Sequence, residues 1–500
     1  MLQAKTHLPI SGDRARGSRC TRALSDTGTA LCALCLLGAG ALADSAQAAD
    51  AVTLAAPAPT FSLSDLFAPS RTTLLGDAGG LRPALAKYGI TFTLFEESEV
   101  FGNATGGYKR GADYDGVTTP TVMLDTSKAF GWPGGTFEVS GFQIHGANLS
   151  TNNLGALQSV SGLEADPSTR LWELWYLQTL GKSGWDVKIG QQSLDQEFIT
   201  SAGSLLFLNT MMGWPLIPSV DLYAGGPAYP LSSLGIRLHG QVAPNVTALI
   251  GVFNDNPPGG PFNDDSQLRG PEKYGVRFNL NTGALVIGEL QYALNPPPSD
   301  PKAKPTGLPG TYKLGFWYDT AAFPDQRYDT NGLPLAVTGG PARLDHGNYG
   351  FYGIFDQVVW QPDLSAPRAL GIFARVMGAP LNDRNLISFS VNAGVTLKAP
   401  FKGRDGDIVG LGAGYGLFSS GSQGFNADTA AVAPPGTLSP IKTSETFIEA
   451  FYTINLATWW QLTPDFQYIF NPGGGIVNPS NPTTLVHDEA VFGARTTIAF

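Results

Sequence analysis

Cysteine is almost absent from this sequence of 500 residues, and its three examples (Cys20, Cys32 and Cys35) all fall within the first 35 positions. Beyond them no disulfide and no cysteine metal site can form, so the rest must hold by packing and backbone hydrogen bonds. Charge is scarce as well: Asp, Glu, Lys and Arg make up 14%, against roughly 25% in soluble domains. The balance is acidic, −10 formally, which argues against nucleic acid as a partner. Apart from 30–43, no apolar run approaches the roughly 20 residues of a helical membrane span. Catalytic signatures are missing too, with no G-x-S-x-G, H-E-x-x-H or Walker A motif. The five histidines (His7, His145, His239, His346 and His487) show no paired spacing, and Asp113–Gly116 lacks a full calcium-ligand series. Neither an enzyme nor a cofactor is expected.

What is present starts with Arg14, Arg16, Arg19 and Arg22, followed by an apolar run from Ala30 to Ala43 and then Ala46-Gln47-Ala48. This is the pattern of a cleaved secretory signal over 1–48. Residues 49–89 read as a linker followed by a short periplasmic helix over Leu81–Tyr88, stopped at Gly89. From Ile90 to Phe500 almost every segment alternates with period two, the signature of strands. In GWDVKIGQQ, Trp185, Val187 and Ile189 oppose Asp186, Lys188 and Gly190. In SLGIRLHGQV, Leu234, Ile236 and Leu238 oppose Arg237 and His239. The terminal VFGARTTIAF ends one apolar face on Phe500, expected to serve as the membrane-insertion signature read by the barrel-assembly machinery.

Connections alternate in length, with short turns such as 181–184, 243–245 and 281–283 against long segments such as 146–168, 193–231 and 419–444. That layout is expected of an antiparallel transmembrane β-barrel. A β-sandwich has no reason to segregate lengths so regularly, although a lectin with elaborate loops at one end would mimic it; the alternation shows no continuous buried strand of the kind a second layer requires. Counting gives seventeen strands, one of them at 272–281. Closed bacterial barrels carry even numbers, so one strand near 284–346 is surplus or missing, with 320–346 the expected place. Sixteen or eighteen strands follow.

In hydrocarbon every backbone polar group must be satisfied within the protein, so the sheet must close. The apolar faces then meet outer-membrane lipid, and the polar faces enclose water. Inward positions include Lys188, Arg237, Arg277, Glu289, Arg375, Glu449 and Arg495. On LWELWYLQ, Glu173 and Trp175 turn inward together, offering an acceptor and a stacking plane; the competing place for Trp175 is the interfacial girdle. Arg237, Arg277, Arg375 and Lys188 facing Glu173, Glu289 and Asp356 would make a constriction suited to a neutral sugar. Segment 193–231, with Leu205 to Leu208 consecutive and apolar, is too greasy for a solvated loop and is expected to fold into the lumen or to pack on a neighbouring protomer.

The sequence also resembles the carbohydrate-selective porins, the OprB-like family of Gram-negative outer membranes. The resemblance rests on LLGDAGGLRPALAKYGI, EVFGNATGG, GWPGGTFEVSGFQIHG, LWELWY, NYGFYGIFDQVVW, RVMGAPLNDRN, YIFNPGGG and VFGARTTIAF, spread from about residue 74 to 500. It implies sixteen strands, a narrow waist favouring monosaccharides and similar polyols, and an outer-membrane location. General porins and non-channel carbohydrate-binding β proteins remain the alternatives, and either a homotrimer or a monomer is compatible with it.

Overall fold

The computed structural model of the chain describes residues 67–68, 70–260, 270–298, 300, 303 and 305–500. The expected signal segment and the linker up to residue 60 lie outside them. Alternation of apolar and polar residues produces the strands, and pairing of each strand with its sequence neighbours produces a closed antiparallel barrel of sixteen. In chain order its strands are β1 (Ile90–Asn103), β2 (Gly111–Asp125), β3 (Gly135–Gly146), β4 (Ser168–Thr179), β5 (Trp185–Gln192), β6 (Ser233–Ala243), β7 (Val246–Asn254) and β8 (Ala284–Leu294). Then come β9 (Gly310–Asp329), β10 (Ala342–Trp360), β11 (Ala369–Gly378), β12 (Ile387–Lys398), β13 (Ile408–Phe418), β14 (Ser444–Ala457) and β15 (Trp460–Phe470). A small hairpin, β16 (Val477–Asn478) and β17 (Asn481–Leu485), stands outside the barrel, and β18 (Glu489–Ala499) closes it against β1.

The seam is pinned where residues 74–94 meet the C-terminus. Phe500 donates its amide to the Leu94 carbonyl at 2.9 Å, and Leu74 donates to Ala499 at 2.7 Å. The expected helix is present as α1 (Leu81–Ala86), and its Arg82 donates to the carbonyls of Phe92 and Phe500. Turns at this end are short, as at 244–245, where Asn245 takes φ 60° to reverse the chain in two residues. Long segments 147–167, 193–232, 255–283 and 419–443 emerge at the other end.

The surplus strand of the sequence count is 272–281, outside the interval where the miscount was expected. A 3₁₀ turn covers Gly270–Tyr274, and the rest of YGVRFNLN runs irregularly inside the 255–283 connection. Its alternation is real, but Phe278 has φ 50° and Asn279 bonds to Asn254 and Asn256 instead of to a strand partner. The 320–346 region adds no strand; β9 and β10 simply extend through it as a long hairpin.

Outward positions such as Ile189, Ile236, Ile250, Leu314, Val376 and Leu411 are exposed and apolar, as a lipid-facing surface requires. The lumen wall departs from a uniformly polar surface. Between β10 and β15 it carries Ile354, Phe373, Met377, Ile387, Phe447, Phe451 and Ile469, all buried, and these pack on Phe207, Leu208, Met212, Leu216 and Ile217 of segment 193–232. The core of the molecule therefore sits inside the barrel, between the wall and an infolded segment. Strand β13 makes room for it. Its inward positions are Gly410, Gly412, Gly414 and Gly416 in succession, and a Cβ at Gly412 would lie 2.7 Å from the Phe207 ring and 2.9 Å from the Met212 methyl. A glycine face lets the segment lie directly on the wall.

Candidate functional site

An infolded segment without regular structure brings backbone amides and carbonyls into a buried place, where each unpaired group costs about 1–3 kcal/mol. The wall supplies the partners. Glu173 accepts the Ser193 amide at 2.9 Å, and Glu289 accepts the Ile199 amide at 2.9 Å and the Tyr352 hydroxyl at 3.0 Å. Asp356 accepts from the Ser201 hydroxyl at 2.7 Å and the Gly203 amide at 2.9 Å. Glu449 accepts the amides of Leu208 and Asn209 at 2.5 and 3.2 Å. Arg375, fully buried, donates to the carbonyls of Ile199, Met211, Met212 and Gly213 at 2.5–3.1 Å. The segment returns contacts of its own: Asp221 accepts the amides of Leu386 and Ile387, Asn209 Nδ2 donates to Gln467 Oε1 at 2.9 Å, and the Tyr223 hydroxyl donates to the Ala322 carbonyl. Segment 147–167 is held the same way, with Glu445 accepting the amides of Leu157 and Gln158 at 2.7 Å each.

A second group of charges borders the lumen on β5 and β6. Lys188 Nζ lies 2.6 Å from Glu197 Oε1, and Arg237 Nη2 donates to the same oxygen at 3.0 Å. Arg237 also pairs with Asp186, whose other oxygen is 2.7 Å from His239 Nδ1. On β9, Lys313 donates to the Thr200 hydroxyl at 2.8 Å and lies 3.5 Å from Glu289. Residues 195–202 thus meet the β5, β6 and β9 wall through polar side chains, and Gln196 is exposed between them. Burial works against the Glu197 carboxylate, but Lys188 and Arg237 more than offset it and hold its pKa below the ordinary value. A carboxylate with a depressed folded pKa contributes its full share above the unfolded pKa, roughly 4.3, and loses it only as pH falls through the lower folded value. The difference in sugar flux between the parent protein and Glu197→Gln is therefore expected to stay constant from pH 5 to 8; liposome swelling across that range checks it.

Among the residues singled out from sequence, Glu173, Trp175, Lys188, Arg237, Glu289, Asp356, Arg375 and Glu449 all point into the barrel. Only Lys188 and Arg237 of these belong to the second charge group, and both are 4% exposed. Glu173, Glu289, Asp356, Arg375 and Glu449 grip the infolded segment instead. Trp175 faces inward beneath the Lys188 ammonium, 4.7 Å from the ring centroid, and is 9% exposed, so its ring is covered by that cation. Arg277 is a correction: with no strand at 272–281 it has no inward face to occupy, and it lies in the 255–283 connection beside Gly259. Glu197, Asp186, His239 and Lys313 were not selected. Alternation alone places Asp186 beside Lys188 and His239 beside Arg237. Glu197 carries no such signal, because its position depends on where the infolded segment lands.

Residues 109–500 match the family model described as "Carbohydrate-selective porin, OprB family". Porin B of Pseudomonas aeruginosa is 26% identical over 476 residues, covering 91% of this chain and 95% of that protein. A protein described as "Putative porin QuiX" of Acinetobacter baylyi is 26% identical over 438 residues, covering 82% of this chain and 91% of that one. The high-pH structure of Pseudomonas putida OprB superposes with a TM-score of 0.74 at 24% identity, covering 86% of this chain and 99% of that one.

Proposed function

The chain belongs to the OprB family of carbohydrate-selective porins, and from that premise we propose that small sugars cross it between residues 195–202 and the wall of β5, β6 and β9. It is a porin of the Gram-negative outer membrane, by family a channel for sugars. In the detailed reading, passage is passive and no bond chemistry occurs. Lys188, Arg237, Glu197, Asp186 and Lys313 exchange hydrogen bonds with sugar hydroxyls in a passage small enough to strip part of the hydration shell. Their mutual pairing keeps each charge compensated when no sugar is present, so contacts with a sugar stay weak and release stays fast.

The observation that carries this reading is the grip of wall charges on segment 193–213, which holds an otherwise irregular stretch across a wide barrel. We read Glu173, Glu289, Asp356, Glu449 and Arg375 as positioning residues for the aperture. Residues 90–500 form the pore domain, preceded by a periplasmic helix and an exported leader over 1–48. Phe500 presents the terminal strand to the barrel-assembly machinery. Liposome swelling with sugars of rising size tests the function. Rapid entry of pentoses and hexoses with a sharp loss at trisaccharides supports it. Equal entry at all sizes would make the protein a general porin, and no entry would leave a carbohydrate-binding barrel without a channel.

A further inference from the structure

Two carboxylates at the long-loop end of the barrel are fully buried and only half satisfied. Asp255 follows directly on β7, and Asp319 lies on β9, where it shares the inward face with buried Trp317, Ala321 and Phe323. Asp255 Oδ1 accepts the Thr282 hydroxyl at 2.6 Å and Asn254 Nδ2 at 3.3 Å, and Asp319 Oδ1 accepts the Ala321 amide at 2.8 Å. Among the described residues the Oδ2 atom of each acid has no hydrogen-bond partner. The amide oxygen of buried Asn256, on the residue adjoining Asp255, lacks one as well.

One strand separates the two acids. Asn254 is opposite Ala284 on β8, and Leu285 is opposite Asp319. The place between them is Gly283, where a Cβ would lie 2.8 Å from Asp255 Oδ2 and 3.0 Å from its Cγ. The Asp255 carboxylate therefore leans from the end of β7 over a residue with no side chain. Tyr223 of the infolded segment stands near both acids. Its ring stacks on Phe323 with centroids 4.8 Å apart, and its hydroxyl donates to the Ala322 carbonyl. Burial raises the pKa of that hydroxyl, and the charges of Asp319 and Asp255 raise it further. A buried acceptor without a donor is costly, more so when it carries charge. Protonation does not remove the cost, because it turns the oxygen into a buried O–H donor with the same lack of a partner. A cation between the two Oδ2 atoms removes it for both at once.

We propose that Asp255 and Asp319 hold a divalent cation of the calcium class over Gly283, each through its Oδ2 atom. The donor set is oxygen alone, which selects hard cations. Two carboxylates match a double charge. Calcium accepts irregular sets of protein oxygens, amide oxygens such as Asn256 Oδ1 among them, whereas magnesium demands near-octahedral geometry and keeps several waters, for which a fully buried place has little room. The long loops of outer-membrane barrels face the cell exterior, so the site draws its ion from the medium. The ion ties the start of the 255–283 connection to β9 beside Tyr223. None of this depends on which solute passes or by which route.

Calcium content reads the site directly. The full chain is purified in detergent with calcium chloride, passed through a chelating resin to strip loose ions, and analysed by atomic emission; an enclosed ion leaves slowly and survives the resin. The expected result is a single calcium per folded chain, and at least tenfold less in the double variant Asp255→Asn, Asp319→Asn. Gly283→Ala keeps both acids and fills the space over the glycine, so its affinity is expected to fall at least tenfold in a terbium chloride titration, read by emission sensitised through nearby aromatic rings and reversed by calcium. A ligand that binds only the folded state also stabilises it, so EGTA should lower the unfolding temperature of the parent barrel by several degrees and leave the double variant unmoved. Equal calcium in the parent and the double variant, both retaining sugar flux, would overturn the proposal. Where the double variant does not fold, Gly283→Ala decides: undiminished terbium affinity overturns the proposal, and the tenfold loss supports it.

Discussion

Replacing Arg375 by methionine is expected to raise single-channel conductance several-fold and to admit trisaccharides that the parent protein excludes. The guanidinium is fully buried and donates to four carbonyls of the infolded segment and to Asn392 Oδ1. Hydrogen bonds from a charged donor are worth about 1.5–3 kcal/mol each. They are not additive, and each buried carbonyl left without a donor costs about 1–3 kcal/mol. Methionine keeps the length of the stem and offers no donor, so the loss falls on the segment. The strand ladder of β11 with β10 and β12 does not use the Arg375 side chain, so the barrel should still resist detergent unfolding at room temperature. Unchanged conductance would show that Phe207, Met212 and Leu216 packed on the glycine face of β13 suffice to hold the segment.

The second large effect concerns Arg237. Its alanine variant is expected to lose about tenfold in glucose flux and to become more cation-selective, because removing a lumen cation next to two acids changes both the hydrogen bonding and the field. Arg237 stands between Asp186 and Glu197, and Lys188 alone cannot compensate both. Lysine at this position restores the charge but not the planar fork that meets two carboxylates at once, so partial recovery of flux and full recovery of ion selectivity are expected. Reversal potentials in a salt gradient separate the two. By contrast, Glu173→Ala should act through the lost Ser193 anchor, widening the size cutoff more than it changes ion selectivity.

Much of this was legible because a β-barrel writes its geometry with period two. The inward sense of Lys188, Arg237, Glu289, Arg375 and Glu449 follows from alternation, that of Glu173 from the cost of an acid facing lipid, and all six are buried. Alternation also misled at 272–281, since a short run in an extended connection looks the same as a strand until its hydrogen-bond partners are known. The role of the inward acids was not legible. Whether a carboxylate meets solute or backbone depends on where segment 193–232 lies, and that is set by contacts more than a hundred residues apart, such as Ser201 with Asp356 and Leu208 with Glu449. One sequence feature did carry the information: the four alternating glycines of β13 mark a wall that something must approach closely.

The proposed passage of sugar beside residues 195–202 is tested most directly at Gln196, which is exposed next to Glu197. Gln196→Cys, reconstituted in liposomes and treated with a bulky water-soluble thiol reagent, is expected to react quickly and to lose hexose entry to the level of empty vesicles, with excess glucose slowing the reaction. Complete modification with hexose entry undiminished would contradict a sugar path at this place.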